Sequence, residues 1–249
     1  MDLRLTDLHV PEGDTRAFAA DLTDFAQAYR ALEGVDSVIH LAMAPGDGPN
    51  MEYLEDEANP ADLQRLQVNV GATYNILEAA RRRKLRRVVY VSSMTILLGN
   101  KHSATYSADT PIEPTNLYAC TKLFGEQLAR VYWRRHRLST ICLRLGQPFP
   151  IGNAEFDKLW STNKRSRSIY AEMGDVSRAV ECAVTTLVEF GVFPVVSASD
   201  NPRVDLSTTR LIEYVPRAYL SDAGLSFHDD GCFPPATGPL VTHNPGELS

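Results

Sequence analysis

Val88-Val89-Tyr90-Val91-Ser92-Ser93, followed downstream by Tyr118-Ala119-Cys120-Thr121-Lys122, is the pairing on which the reading of this chain turns. The first stretch is a β-branched run of the kind that forms a buried strand, and it ends in two hydroxyls. In the second, a tyrosine and a lysine one helical turn apart share a helix face. A phenol titrates near ~10 and is a poor base at neutral pH. A neighbouring ammonium favours the phenolate and brings that value toward the working range. A serine hydroxyl at a strand end completes a set able to move a proton on and off an alcohol. Tyr-x-x-x-Lys alone is a frequent amphipathic helix pattern, so the surrounding elements have to decide.

Those elements alternate. Strands are expected at Leu3–Leu5, Phe18–Ala20, Ser37–Leu41, Arg87–Ser92, Ser139–Arg144 and Phe193–Ala198. Helices are expected between them, near Asp24–Leu32, Pro60–Ala80, Leu117–Arg135 and Asp175–Phe190. Pro60 suits a first helical turn, and Asn59 is a plausible cap for it. Short apolar runs alternating with helices predict an α/β fold with a parallel sheet covered by helices. Residues 1–226 read as one domain, and 227–249, rich in Gly, Pro and polar residues, as an irregular tail.

Composition narrows the function. Lys+Arg 25 against Asp+Glu 31 gives a net charge of −6, which argues against general nucleic-acid binding. No apolar run approaches the ~20 residues of a membrane span, and the N-terminus lacks the basic lead and apolar block of a signal peptide. Cys120, Cys142, Cys182 and Cys232 show no C-x-x-C spacing and read as small buried thiols in a reducing cytoplasm. The histidines show no metal-ligand spacing. The basic runs Arg81–Arg87 and Tyr132–Arg137 read as solvated helix ends, where cations suit the helix dipole.

Val35-Asp36-Ser37-Val38-Ile39-His40-Leu41-Ala42 runs from a short strand into small residues, and Val68–Ala80 reads as a helix feeding the Ser-Ser strand. With the Ser-Ser and Tyr-x-x-x-Lys motifs, their order and spacing resemble the extended short-chain dehydrogenase/reductase family, in its NAD-dependent epimerase/dehydratase branch. The likeness runs from Met1 to about Leu220 and includes Leu3–Leu8, Arg144-x-Gly146-x-x-Phe149-Pro150 and Tyr214-Val215-Pro216. It implies a Rossmann-like doubly wound sheet with a small C-terminal substrate lobe. It also implies an NAD-dependent oxidoreductase or epimerase acting on a sugar or sugar-derived alcohol, with a homo-oligomer possible.

The resemblance also assigns residues. Tyr118 would be the general acid/base, Lys122 its cation and the ligand of the nicotinamide ribose, and Ser93 the orienting hydroxyl. Asp7 would grip the adenosine ribose, where a carboxylate repels a 2′-phosphate and favours NAD over NADP. Asp21 and Leu22 match the adenine contact, although Asp21 equally suits a cap for the helix near Asp24. Leu41, Ala42 and Met43 match the turn that packs against the cofactor, and Asn69 matches a helix asparagine of the cofactor site. Ser93, Met94, Thr95 and Gln147 would face substrate, with Thr95 a second candidate hydroxyl. Ser92 reads as a strand-end residue bonded to backbone. Members that oxidise sugar acids carry an arginine for the carboxylate near a Trp; here that stretch is Ala154–Trp160 with Glu155, so the chemistry is expected to carry over better than the substrate.

One family feature is not found in these 249 residues: no Gly-x-x-Gly-x-x-Gly occurs. In this fold a glycine-rich turn leads to the helix N-terminus that receives the pyrophosphate. The match begins at the family's second strand. A truncated sequence is one explanation. A short relative that keeps the scaffold as a non-catalytic binding or regulatory module is the other. The strands at Leu3–Leu5 and Phe18–Ala20 must then stand apart from the Ser37 group, slide onto it, or recruit a partner's strand.

Overall fold

The computed structural model describes residues 2–10, 13–44, 60–100, 105–148, 168–221 and 224–228. Its centre is a parallel sheet in the order β3-β4-β5-β6, built from β3 (Ser37–His40), β4 (Arg87–Ser93), β5 (Thr140–Leu145) and β6 (Phe190–Val195). Parallel neighbours need crossovers, and helices supply them. A π-helical turn (Leu66–Ala72) separates α2 (Pro60–Arg65) from α3 (Thr73–Arg83), and the three together link β3 to β4. Next, α4 (Leu117–His136) links β4 to β5, and α5 (Met173–Thr185) links β5 to β6.

Alternation along the strands sets the two faces of this sheet. Val88, Tyr90 and Cys142 join one core with Ile76, Ala80, Ala129 and Tyr132 of α3 and α4. Val89, Ile141 and Leu143 join the opposite core with Ala179 and Ala183 of α5. Helices therefore cover both faces, as a doubly wound sheet requires.

Before the sheet, β1 (Leu5–Asp7) and β2 (Ala17–Ala19) pair in parallel as a separate two-stranded sheet, with α1 (Phe25–Ala31) following. Of the three expected arrangements, the strands adopt the first and stand apart from the Ser37 group. Helix α1 ties them in, packing Ala28 with Ile76 and Ala80 of α3. Beyond the main sheet, β7 (Ala198–Ser199), β8 (Ala218–Ser221) and β9 (Gly224–Phe227) form a third, small sheet. Asp175, fully buried at the start of α5, accepts from Ser197 Oγ at 2.6 Å and from the Arg217 amide at 2.7 Å, tying that sheet to the main body.

Several expectations are corrected. The long helix over Pro60–Ala80 is interrupted by the π-helical turn. The strand expected at Phe193–Ala198 runs instead over Phe190–Val195, at the edge of the sheet, where Gly191 and Pro194 are both tolerated. Helix α5 correspondingly stops at Thr185. The end of the helix and the turn after it are met by Arg87, which donates to Ala183 O at 2.9 Å, Thr186 O at 2.6 Å and Val188 O at 2.8 Å. Arg87 is thus a buried clamp on a helix end and not part of a solvated run. Cys142 is buried, but Cys120 is exposed. The segment expected to be an irregular tail begins inside β9 at Phe227, and Asn59, Glu155 and Cys232 lie outside the described residues. No helix among the described residues is long and apolar enough to cross a membrane.

Candidate active site

The C-terminal ends of β3, β4 and β5 and the first turns of α4 converge on one region, which is where open α/β sheets bind ligands. Asn116 starts α4 by accepting from the Ala119 amide at 2.8 Å, which puts Tyr118 and Lys122 in its first two turns. Both face inward, Tyr118 8% and Lys122 4% exposed. Lys122 Nζ donates to the Val91 carbonyl at 3.0 Å and lies 5.6 Å from the ring centroids of both Tyr90 and Tyr118. The ammonium is therefore seated between the end of β4 and the two phenol rings.

Ser93 closes β4 and caps a short 3-10 helix, Met94–Leu97. Its Oγ accepts from the Thr95 amide at 3.2 Å and from Thr95 Oγ1 at 3.0 Å. With these donors directed at it, the Ser93 hydroxyl has its own proton to offer outward. Met94 and Thr95 are buried in the same turn. Ser92 departs from expectation: its hydroxyl donates to Glu126 Oε1 at 2.7 Å, a side chain on α4, rather than to backbone.

Behind the tyrosine runs a buried polar chain. Asn69, in the π-helical turn, accepts from the Ala44 amide at 2.8 Å and donates to Thr121 Oγ1 at 3.2 Å. Thr121 in turn donates to the Tyr118 carbonyl at 2.7 Å. The turn after β3 is thereby tied to the helix that carries Tyr118 and Lys122, and Asn69 acts here as a brace. Thr73 Oγ1 donates to the Asn69 carbonyl at 2.6 Å and meets His40 Nε2 at 3.0 Å. With the Thr73 proton committed, His40 is left to donate from Nε2. π-Helical turns recur at functional sites because they rotate one side chain out of the regular ladder.

Burial, and secondarily the Lys122 ammonium, lower the His40 pKa to about 3. An unfolded histidine titrates near ~6.5, so below that value the unfolded chain takes the proton first. Stability is expected to fall as pH drops from about 6.5 toward 3, by up to about 1.4 kcal/mol per pH unit for this one group. The slope of Tm against pH, over roughly one to two units either side of the free value, measures it. His40→Gln is expected to flatten that slope; an equally steep slope in the variant removes His40 as its source.

The remaining candidate residues lie on other elements. Asp7 is exposed at the end of β1, and its carboxylate meets the His9 amide at 3.5 Å. Asp21 accepts from the Thr23 amide and hydroxyl at 2.8 and 2.7 Å. The cap of α1 is Asp24, which bonds the Ala26 and Gln27 amides, so Asp21 does not take that role. Leu22 packs on the core while Asn75 of α3 donates to the Leu22 and Thr23 carbonyls, both at 2.9 Å. Leu41 and Met43 are exposed and Ala42 half-buried in the turn after β3. Gln147 follows Gly146, where a side chain would collide with the Ile169 carbonyl at 2.0 Å. The Gln147 Oε1 is buried without a hydrogen-bond partner among the described residues.

Glu126, His40, Asn75 and Thr121 are the site residues that sequence reasoning missed. Glu126 had a signal, falling one turn beyond Lys122 on the same helix face. No group of three or more His, Cys, Asp or Glu among the described residues is placed to hold a metal. As to NAD, the donor set fits part of the cofactor: carboxylates at Asp7 and Asp21, and the buried Lys122 ammonium beside Tyr118. A glycine-rich turn for the pyrophosphate is not found within residues 1–249.

A parallel sheet wound on both faces, with Ser and Tyr-x-x-x-Lys at its carboxyl end, defines a short-chain dehydrogenase-type Rossmann protein. A profile of the NAD dependent epimerase/dehydratase family matches residues 4–169, and the chain belongs to that family. It is 29% identical over 199 residues to uronate dehydrogenase of Pseudomonas syringae pv. tomato, covering 79% of this chain and 64% of that protein. It is also 29% identical over 214 residues to L-arabinose 1-dehydrogenase (NAD(P)(+)) of Haloferax volcanii, covering 79% of this chain and 80% of the other. The structure of a uronate dehydrogenase mutant from Agrobacterium tumefaciens complexed with NAD superposes with a TM-score of 0.72 at 25% identity, over 88% of this chain and 76% of that one. The chain spans 64% and 44% of the length of the two Pseudomonas uronate dehydrogenases it matches.

Proposed function

We propose that the protein is an NAD-dependent oxidoreductase or epimerase acting on a sugar or sugar-derived alcohol. The observation that carries this reading is Lys122, buried between Tyr90 and Tyr118 and held to the end of β4 beside Ser93. In this reading Ser93, already accepting from Thr95, donates to the substrate oxygen and holds it for Tyr118. Tyr118 takes the hydroxyl proton, and Lys122 stabilises the phenolate that exchanges it. NAD, when bound, supplies the hydride acceptor. Asp7 favours NAD over NADP by repelling a 2′-phosphate, and Lys122 serves the nicotinamide ribose. Asp21, Leu22 and the Leu41-Ala42-Met43 turn, braced by Asn69, flank the cofactor.

Sugars fit the polar lining. The buried Gln147 Oε1, without a partner among the described residues, calls for a hydrogen-bond donor such as a hydroxyl, since leaving an acceptor unsatisfied costs about 1–3 kcal/mol. Uronate and L-arabinose dehydrogenases among the relatives point to the same class of substrate. The test is NADH formation over a panel of aldoses, uronic acids and polyols. No turnover on any of them, by protein shown to bind NAD, would leave the scaffold reading.

Residues 1–249 by themselves are expected to bind NAD more weakly than micromolar. The backbone donors and dipole of a glycine-turn helix hold the pyrophosphate in this fold, and that motif is not found in these residues. Calorimetry on this chain checks it; micromolar affinity would show that another element cradles the phosphates.

A further inference from the structure

Glu126 is a buried carboxylate that the proposed chemistry does not use. It is 1% exposed, one turn beyond Lys122 on α4, and three charged or polar bonds converge on it. Arg144 Nε donates to Oε1 at 2.9 Å and Arg144 Nη2 to Oε2 at 2.9 Å, a bidentate pair, while Ser92 Oγ donates to Oε1 at 2.7 Å. Ser92 and Arg144 are register partners on β4 and β5, and their neighbours Ser93 and Leu145 end those strands. Helix α4 is thus fastened to the sheet at two successive turns of one face: Lys122 to the Val91 carbonyl, Glu126 to Ser92 and Arg144.

An ion pair taken out of water does not by itself argue for stability, because desolvation offsets much of the attraction. Its location suggests another role. Arg144 brings a permanent positive charge to the strand ends, close to the turn that carries Lys122 and Tyr118. Unbalanced, it would add to the Lys122 ammonium.

We propose that Glu126 is a positioning residue for Tyr118: with Ser92 and Arg144 it fixes the rotation of α4 on the sheet and cancels the Arg144 charge, leaving Lys122 to set the acidity of the phenol. The role of Tyr118 as proton carrier rests on the function proposed above. The groups facing the pair are Ser92 and Tyr90 of β4, Cys142 of β5, and Lys122 and Arg130 of α4, with His40 beyond Lys122. The field of the pair reaches them. Burial and then the Glu126 charge push the Cys142 thiol up, while Arg144 and Arg130 oppose it. Tyr90 is raised by burial first, with Cys142, Glu126 and Tyr118 adding to it.

The test needs neither cofactor nor turnover. Tyrosine labelled with ¹³C at Cζ, assigned through Tyr118→Phe, gives the Tyr118 titration by NMR. Glu126 lies two turns from Tyr118, about 12 Å along the helix, where one uncompensated charge at an effective dielectric of about 20 moves a pKa by about one unit. Glu126→Gln is expected to lower the Tyr118 pKa by that amount, and the double variant Glu126→Gln/Arg144→Met to return it to the wild-type value. Ser92→Ala, which changes no charge, is expected to leave it in place. An unmoved pKa in Glu126→Gln, or a shift that persists in the double variant, overturns the proposal, since a merely structural bond would not produce a shift that cancels. Should Glu126→Gln not fold, Arg144→Met gives the mirror outcome, a raised pKa, and no rise overturns the proposal equally. Turnover of Tyr118→Phe is read separately: if it persists, the proposed function fails while the titration result stands.

Discussion

Tyr118→Phe is expected to abolish turnover while leaving NAD affinity close to that of the parent protein. The substitution removes one oxygen and keeps the ring that packs 5.6 Å from the Lys122 ammonium. Proton transfer by a positioned group contributes typically ~10²–10⁴-fold, so a loss of at least that size is anticipated. Lys122→Met is expected to impair both turnover and cofactor binding, because its ammonium serves the phenol and the ribose together. Ser93→Ala should slow the reaction by one or a few powers of ten, in the range of a lost hydrogen bond at a reacting oxygen, about 10²–10³ at the upper end. Initial rates of NADH formation, with NAD affinity measured on the same preparations, separate these outcomes. Normal turnover in Tyr118→Phe on any substrate found would remove the catalytic assignment.

How far the sequence disclosed this arrangement depended on the range of the interactions. Strand alternation is local: Val88 and Tyr90 turn to one core and Val89 to the other, as period-2 patterning requires. The spacing of Tyr118 and Lys122 is also local, and both side chains are buried on one helix face. The separation of β1 and β2 from the main sheet was legible as one of three outcomes. Partners brought together over long separations were not legible. Ser92 looked like a strand end, yet its hydroxyl meets Glu126 on the next helix. Arg87 looked like part of a solvated basic run, yet it crosses to the end of α5 and donates to the Ala183 and Thr186 carbonyls there. The π-helical turn left no local trace beyond Asn69, a poor helix former whose bonds to Ala44 and Thr121 emerge only in three dimensions. The start of β6 at Phe190 was not legible for a related reason: a glycine such as Gly191 is tolerated in an edge strand, and which strand is the edge is a global property.

Gly125→Ala is expected to be the most damaging small substitution on α4, the helix that carries Tyr118 and Lys122. Glycine in a helix interior ordinarily costs roughly 1 kcal/mol relative to alanine, so on propensity alone the change should stabilise. Packing reverses the sign. A methyl group at this position would stand 2.2 Å from both Cζ and Oη of Tyr90. Tyr90 cannot simply swing away, because it is 3% exposed, packs among Ile76, Ala129 and Cys142, and its ring lies 5.6 Å from the Lys122 ammonium. Its hydroxyl also reaches the Lys122 carbonyl at 3.4 Å. Either the ring leaves its rotamer or α4 lifts from β4, and overpacking of this kind costs typically about 1–3 kcal/mol, occasionally more. Because the clash sits between Lys122 and Glu126 on one helix, relief by helix movement would also draw Lys122 from the Val91 carbonyl. Denaturant titration is expected to show a lower midpoint with an unchanged slope. Adding Tyr90→Val, which vacates the space the methyl would enter, should recover part of the loss relative to Tyr90→Val alone. A Gly125→Ala variant as stable as the parent would mean that α4 is not seated on β4 through this notch, and the close fit that places Tyr118 and Lys122 against the strand would need another source.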